Sequence, residues 1–237
     1  MLKIINFSKT YGSNKKKAVD NLNLEVKKGE IFGFIGHNGA GKTTTIKAIA
    51  GITEFTEGDI LIDGLSIKDN DIECKKKIAF IPDNPDIYTS LTGIGYLNFI
   101  ADIYQVEVSE KEKLIKKYAT MFEILSNLGD IISTYSHGMK QKLVIISALI
   151  HSPKLLVLDE PFVGLDPTAS FALKKVMKNL CKEGVSVFFS SHVLEVVEQL
   201  CDRVGIIKDG KLVKYGTVSD VKGDKSLESI FLELNGK

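Results

Sequence analysis

The chain has 237 residues, of which 44% are hydrophobic and 26% are charged. This composition is typical of one globular domain and excludes the disordered, collagen-like and coiled-coil classes. Its 31 basic side chains nearly balance 30 acidic ones, for a net charge of +1, so the strongly basic surface of a dedicated nucleic-acid binder is missing. Arg203 is the only arginine, and we expect it to be structural.

Cysteine spacing and hydropathy indicate the cellular compartment of the chain. The three cysteines are widely spaced, form no metal or disulfide pattern, and predict buried thiols in a reducing compartment. No apolar stretch approaches the roughly 20 residues that span a bilayer, and no secretion signal is visible. We therefore expect a soluble, intracellular protein.

The predicted elements alternate between strands and helices. Polar and apolar residues alternate over 3–7 and 22–26, which predicts antiparallel strands. Asp63-Gly64 and Asp209-Gly210 each lie between apolar runs and predict tight hairpins. Helical periodicity covers about 85–150, and a last helix is expected over 226–234. Short apolar runs predict a mostly parallel buried sheet over 31–35, 78–81, 155–158, 185–190 and 204–207.

The segment after the run at 31–35 reads GHNGAGKTT and fits the pattern G-x-x-x-x-G-K-[ST]. A strand precedes it and a helical run follows, as a phosphate-binding loop requires. Glycines let N–H groups approach phosphate, and the helix start adds partial positive charge. The Lys42 side chain should bridge the β- and γ-phosphates, and the Thr43 hydroxyl should bind Mg²⁺. The predicted nucleotide-binding residues are Gly36, His37, Asn38, Gly39, Ala40, Gly41, Lys42, Thr43 and Thr44.

Asp159 and Glu160 directly follow the run at 155–158. They therefore lie at the carboxyl end of a buried strand, where ligands of α/β sheets bind. Alone, the pair would suit an ordinary exposed turn. Beside a phosphate loop, it predicts that Asp159 holds Mg²⁺ and that Glu160 polarises the attacking water.

Further segments, in family order, resemble the ATPases of ATP-binding cassette (ABC) transporters. Tyr11 matches the aromatic residue that stacks on adenine, and residues 135–142, YSHGMKQK, are similar to the family signature. Asp166 lies in a segment that resembles the D-loop, and His192 matches the switch histidine. Without the resemblance, Tyr11 would be interpreted as a packed aromatic residue and His192 as an ordinary polar residue after a strand.

The resemblance implies roles for the signature and for catalysis. Ser136, His137, Gly138 and Met139 would contact ATP held by a second subunit in a head-to-tail dimer. Read alone, Ser136 is an N-cap for a helix over 139–150. Glu160 and His192 would be the catalytic residues, with His192 positioning the γ-phosphate and the water.

Three positions depart from the usual family pattern. His137 and Met139 replace glycine and glutamine, a form that resembles the drug and antibiotic-peptide export branch. Asp83 stands where the family has glutamine or, in some exporters, glutamate. Its carboxylate reaches less far, so it is predicted to be a metal-site residue that approaches Mg²⁺ through water. Residues 84–104 correspond to the family's contact with membrane subunits, although an ordinary helical surface is the alternative. The basic triplets at 15–17 and 75–77 are expected to be solvated.

The sequence thus predicts an α/β P-loop NTPase that forms a single domain over 1–237. Residues 1–84 and 151–237 would form the nucleotide-binding core with a flanking antiparallel layer, and 85–150 a helical subdomain.

We expect an ATP-hydrolysing, Mg²⁺-dependent subunit that drives transport, with export favoured. Its partners would be a second ABC ATPase subunit, identical or different, and integral membrane subunits, with no nucleic acid. It would be cytoplasmic and peripheral on the inner face of the cell membrane. The alternatives are a non-transport ABC ATPase acting on ribosomes or nucleic acid, and a hydrolysis-silent nucleotide sensor.

Overall fold

Ten strands and nine α-helices form the part of the chain that the computed structural model describes, residues 1–12, 16–84 and 86–234. The strands are β1 (Leu2–Thr10), β2 (Lys17–Val26), β3 (Ile31–Ile35), β4 (Glu57–Ile62), β5 (Leu65–Ser66), β6 (Ile78–Ile81), β7 (Leu155–Leu158), β8 (Ser186–Ser191), β9 (Arg203–Lys208) and β10 (Lys211–Thr217). The helices are α1 (Lys42–Ile49), α2 (Asp71–Lys77), α3 (Gly93–Ile103), α4 (Val108–Met121), α5 (His137–Leu149), α6 (Pro167–Lys182), α7 (Leu194–Leu200), α8 (Val218–Lys222) and α9 (Leu227–Leu234).

The larger sheet contains all five apolar runs, in the order β10-β9-β3-β8-β7-β6. The strands from β9 to β6 are parallel, and only β10 is antiparallel. Every residue of β3, β7 and β8 is buried, which explains their unbroken apolar character. The parallel sheet is therefore confirmed, and it gathers the carboxyl ends of these strands at one edge.

A smaller antiparallel sheet, in the order β2-β1-β4-β5, confirms the predicted flanking layer. Both predicted hairpins are present, with φ of 54° and 84° at Asp63 and Gly64 and of 48° and 79° at Asp209 and Gly210. Two successive positive φ angles favour Asp-Gly in such turns. The second hairpin adds β10 to the larger sheet rather than to the smaller one.

Helices α3, α4 and α5 occupy the segment predicted to be helical, and α3 and α4 both pack against α5. Leu97 and Leu143 from these helices share one hydrophobic cluster with Ile35 and Leu156 of the sheet. The helical segment thus shares its core with the sheet. The boundaries proposed at 84/85 and 150/151 stay a prediction. Pro85, in the segment predicted to be helical, and Lys15, in the first basic triplet, lie outside the described residues.

The carboxyl-terminal helix α9 has the position expected of a packed terminal element. Its Leu227 and Ile230 side chains are buried, and the helix contacts α7. The basic triplet at 75–77 ends α2, where Lys75 and Lys76 pair with Asp71 and Glu73 at the surface.

Leu156→Ala is expected to lower the free energy of unfolding by about 2–5 kcal/mol, because a fully buried leucine is replaced by a cavity. Leu156 is 0% exposed in the middle of β7. Urea unfolding followed by circular dichroism measures the change. The control is Leu232→Ala on α9, where the side chain is 42% exposed and a loss below about 0.5 kcal/mol is expected. Equal losses in the two variants would contradict the assigned core.

Candidate active site

The predicted phosphate loop joins the end of β3 to the start of α1. Gly39 and Gly41 have φ of 81° and 112°, in the region that favours glycine. A Cβ at Gly41 would lie 2.7 Å from the carbonyl oxygen of Ala18, and one at Gly36 would lie 2.5 Å from that of Ile207. The glycines are therefore required by the close approach of neighbouring strands as well as by the turn.

Lys42 is the first residue of α1, and its side chain is only 7% exposed. Its Nζ atom donates to the carbonyl oxygen of Gly36 at 2.7 Å and to that of His37 at 3.4 Å. The Oε1 atom of Glu160 lies 3.8 Å away. The ammonium group is thus held inside the loop, where an incoming phosphate would meet it.

A cleft of about 400 Å³ lies in front of this loop. Its lining includes Asp83, Asp159 and Glu160, in addition to Lys42 and Thr43. The structure thus brings the three predicted carboxylates together with the loop. The loop residues that also line the cleft are His37, Asn38, Gly39, Gly41 and Thr44. Gly36 and Ala40 support the loop from beneath, and Ala40 is fully buried.

The two carboxylates after β7 point in different directions. Asp159 is 4% exposed, and its Oδ1 atom accepts a hydrogen bond of 2.6 Å from the Ser190 hydroxyl. The same hydroxyl oxygen accepts the backbone N–H of Glu160 at 3.0 Å. Glu160 has φ of 48°, a left-handed conformation that is uncommon for glutamate and is frequent at functional sites. Ser190 was not predicted as a site residue, although it is a polar residue at the carboxyl end of the next strand.

His192 and Glu160 form a hydrogen-bonded pair. The Nδ1 atom of His192 lies 2.8 Å from Oε2 of Glu160, which also accepts the backbone N–H of His192 at 3.2 Å. A carboxylate partner assigns the proton to Nδ1. The Glu160 side chain, 14% exposed, thus lies between the Lys42 ammonium and the His192 ring. Both residues were predicted from the sequence, but their contact was not.

The signature residues lie at the start of α5, which begins at His137, two residues earlier than predicted. The Ser136 hydroxyl accepts the backbone N–H of Met139 at 3.2 Å. Ser136 therefore caps the helix at this earlier start and provides a partner for one of its free N–H groups. The His137 ring lies against Gly164, where an added Cβ would be 2.6 Å from Cδ2. Gly138 faces the Gly164 carbonyl oxygen, at 3.1 Å from the position of an added Cβ.

Asp166 connects the predicted D-loop to the signature helix. Its carboxylate caps α6 by accepting the Ala169 N–H at 2.8 Å and pairs with Lys142 of α5 at 2.7 Å. The Lys142 hydrogen bond lowers the pKa of Asp166. Within one chain, the signature and D-loop therefore form a cluster of their own, and the cleft lining contains none of the four predicted signature residues.

Tyr11 follows β1, with its side chain 48% exposed. The Lys9 ammonium lies 5.1 Å from the centre of its ring. Tyr11 is not among the residues that line the cleft, so its stacking on adenine stays a prediction.

A glycine-rich phosphate loop between a strand and a helix, faced by carboxylates at the next strand ends, defines this chain as a P-loop nucleoside triphosphatase. The family model described as "ABC transporter" matches residues 19–163. The chain belongs to this family, and it is an ABC-type ATPase whose nucleotide is ATP. The resemblance and the fold class predicted from the sequence are thereby confirmed.

Curated relatives and solved structures agree with this assignment. The linearmycin resistance ATP-binding protein LnrL of Bacillus subtilis (strain 168) is 38% identical over 93% of this chain and 70% of its own. The bacitracin transport ATP-binding protein BcrA of Bacillus licheniformis is 40% identical over 90% and 69%. The lantibiotic transport ATP-binding protein SrtF of Streptococcus pyogenes is 35% identical over 98% and 96%. These names confirm the resemblance to the drug and antibiotic-peptide branch.

Two solved structures are similar over nearly the whole fold. The structure of an ATP-binding subunit of an ABC transporter has a TM-score of 0.94 and 32% identity, covering 99% of both chains. The dimeric post-hydrolysis state of the cassette MJ0796, bound to ADP and Pi, has a TM-score of 0.83 and 26% identity, covering 92% of this chain and 99% of that one. No helix within the described ranges is long and apolar enough to cross a membrane.

Proposed function

We propose that the chain is the motor subunit of an exporter, in which ATP closes a head-to-tail dimer and the closure is passed to separate membrane subunits. Because ATP would bind the closed state better than the open one, the nucleotide shifts the population towards closure. Glu160-assisted hydrolysis then reopens the dimer. We further propose that the membrane subunits hold the chain at the inner face of the cell membrane.

The observation that carries this proposal is the separation of the signature from the cleft of its own chain. Ser136 and Gly138 start α5 beside Gly164, whereas Lys42 and Glu160 line the cleft. A helix start attracts phosphate, so the natural ligand of the signature is the nucleotide of a partner. The dimeric cassette MJ0796 supports this arrangement, as do the transport names of the relatives for the export direction.

The residues in and around the cleft have proposed roles in ATP binding and hydrolysis. The loop and Lys42 bind the β- and γ-phosphates, Glu160 polarises the attacking water, and His192 orients Glu160 and the γ-phosphate. With one arginine in the chain, the transition-state charge would be met by Lys42, His192 and the partner's signature helix, to which a metal ion held at the cleft would add. Tyr11 stacks on the adenine ring.

The donor set at the cleft suits Mg²⁺. Thr43, Asp159 and Asp83 offer only oxygen atoms, the ligands that this ion prefers. In the described part of the chain, no cluster of three or more His, Cys, Asp or Glu could hold a metal by itself, as expected where nucleotide phosphates complete the coordination. When bound, the ion neutralises phosphate charge. We propose Thr43 and Asp159 as its ligands and Asp83 as a further one.

Two alternatives from the sequence receive less support. A clamp on ribosomes or nucleic acid would need a basic surface, and the net charge is +1. A hydrolysis-silent sensor would not need the Glu160 and His192 pair, which is intact and in contact.

Gly138→Asp is expected to prevent ATP-induced dimerisation while leaving ATP binding to the monomer unchanged, because a carboxylate would repel the partner's phosphate. The test is made in a Glu160→Gln background, in which closed dimers should accumulate. Size-exclusion chromatography with light scattering measures the mass with and without MgATP, and a fluorescent ATP analogue measures binding.

The matched control is Gly129→Asp, since an added Cβ there meets nothing within 4 Å. That variant should dimerise like the parent. If Gly138→Asp instead weakened ATP binding by the monomer, the signature would serve its own cleft and the composite site would be wrong.

A further inference from the structure

Helices α6 and α7 enclose an open groove of about 520 Å³ that shares no lining residue with the ATP cleft. Three of its lining residues are apolar: Phe171, Val196 and Leu200. Phe171 is 70% exposed, which makes it the most exposed of the large hydrophobic side chains in the described part of the chain. A single exposed aromatic residue is common on protein surfaces, but one that adjoins further apolar residues in a groove has the composition of a protein-binding surface.

Four lysines also line the groove: Lys174, Lys175, Lys178 and Lys182. We call them and Phe171 the α6 groove face. Across residues 1–12, 16–84 and 86–234, none of these lysine side chains has an ion pair or a hydrogen bond. Lys174 lies over the Phe162 ring, with Nζ at 5.6 Å from its centre. The fold thus places four ammonium groups together without pairing any of them with a carboxylate.

The acidic residues of α7 form no ion pair with the groove lysines in the described part of the chain. Glu195 accepts a hydrogen bond at 3.1 Å from the side chain of Gln199, which itself lines the groove. Glu198 pairs with Lys222 of α8 at 2.5 Å and accepts the Leu227 N–H of α9 at 3.3 Å. The four lysines therefore outnumber the one carboxylate that contacts a groove residue, and the groove keeps a net positive charge in a chain whose net charge is only +1.

This arrangement is unfavourable for the isolated chain. Lys174, Lys178 and Lys182 repeat every four residues along one side of α6, and like charges at that spacing destabilise a helix. Exposure of Phe171 also keeps apolar surface in water. A partner that supplies negative charge and apolar side chains together would relieve both costs.

We propose that the α6 groove face binds an acidic amphipathic helix of a partner protein. A groove between two helices admits a third helix, whose apolar side chains contact Phe171, Val196 and Leu200 while its carboxylates face the lysines. A flat anionic bilayer would reach the lysines and Phe171 but not Leu200, which is only 6% exposed within the groove. The charge and shape of the groove thus favour a helix.

The test uses the full chain and a synthetic, dye-labelled peptide of about 20 residues, with leucine at positions i, i+3, i+4 and i+7, glutamate only at the positions that flank the leucine stripe, and alanine elsewhere to keep the peptide helical. Fluorescence anisotropy measures its affinity for the wild type. Replacing Lys175, Lys178 and Lys182 together by glutamine is expected to weaken binding at least about tenfold, and Phe171→Ala several-fold. The ATPase activity and melting temperature of both variants should stay at the wild-type values, because these residues lie outside the cleft.

Two controls separate this site from general charge attraction. A variant with Lys3, Lys16 and Lys113 replaced by glutamine loses the same charge from exposed positions and should bind the peptide with wild-type affinity. A scrambled peptide of equal composition lacks the apolar stripe and should bind at least about tenfold more weakly. Equal binding of both peptides, or equal losses in both lysine variants, would overturn the proposal.

A vesicle assay identifies the competing occupant. The wild type and the groove variant are sedimented with phosphatidylcholine vesicles containing phosphatidylglycerol. Co-sedimentation that depends on the groove lysines, without peptide binding, would overturn the proposal in favour of a membrane surface. Peptide binding without co-sedimentation would support it.

Discussion

Glu160→Gln should retain ATP binding and lose most of its turnover, by about 10²–10⁴-fold, the range for removal of a general base. The amide preserves the shape of the side chain and can still accept the hydrogen bond that His192 Nδ1 now donates at 2.8 Å. It removes the negative charge that lies 3.8 Å from Lys42 and the ability to polarise water. Phosphate release measures turnover, and a fluorescent ATP analogue measures affinity.

The control is Glu195→Gln, at an exposed glutamate on α7 whose side chain bonds only to Gln199 among the described residues. Its turnover should equal that of the wild type. Near-normal hydrolysis by Glu160→Gln would contradict the role assigned to Glu160. Loss of ATP binding together with turnover would show that the carboxylate maintains the cleft rather than the chemistry.

The contact between Glu160 and His192 also predicts non-additive effects. If His192 acts mainly by orienting this carboxylate, His192→Ala should reduce turnover in the wild type but change little in the Glu160→Gln background. Independent losses in the two backgrounds would indicate instead that His192 contacts the substrate by itself.

Local sequence signals were sufficient to predict those strands whose ends are marked by a change of residue type. The runs that form β3, β6 and β7 are bounded by polar, glycine or proline residues, and their limits were confirmed. The predicted start of β8 at Val185 was wrong by one residue, because its N–H bonds to the Leu180 carbonyl and so continues the turn that ends α6. Apolar character alone does not distinguish a strand residue from the end of a helix turn.

Pairings between distant residues could not be predicted in this way. The Asp209-Gly210 hairpin predicted that β10 pairs with β9, but not that this pair lies at the edge of the parallel sheet, since an edge is defined by the neighbouring strands. The Ser190 bond to Asp159 joins residues 31 positions apart and depends on the register of β7 against β8. Sequence reasoning thus selected the carboxylates but not the residue that orients one of them.

Lys42→Ala is expected to weaken ATP binding by about 100-fold or more, because each charge-assisted hydrogen bond to phosphate is worth about 1.5–3 kcal/mol. The Gly36 and His37 carbonyls already hold the ammonium inside the loop, so it is largely ordered before the nucleotide arrives.

Thermal melting with and without MgATP tests the loss of affinity, since a ligand at 100 times its Kd stabilises the fold by about 2.7 kcal/mol. The variant should lose that shift, whereas Lys47→Ala, at an exposed lysine of the same helix, should keep it. A full ATP-dependent shift in Lys42→Ala would mean that backbone N–H groups alone bind the phosphates and that Lys42 acts only in hydrolysis.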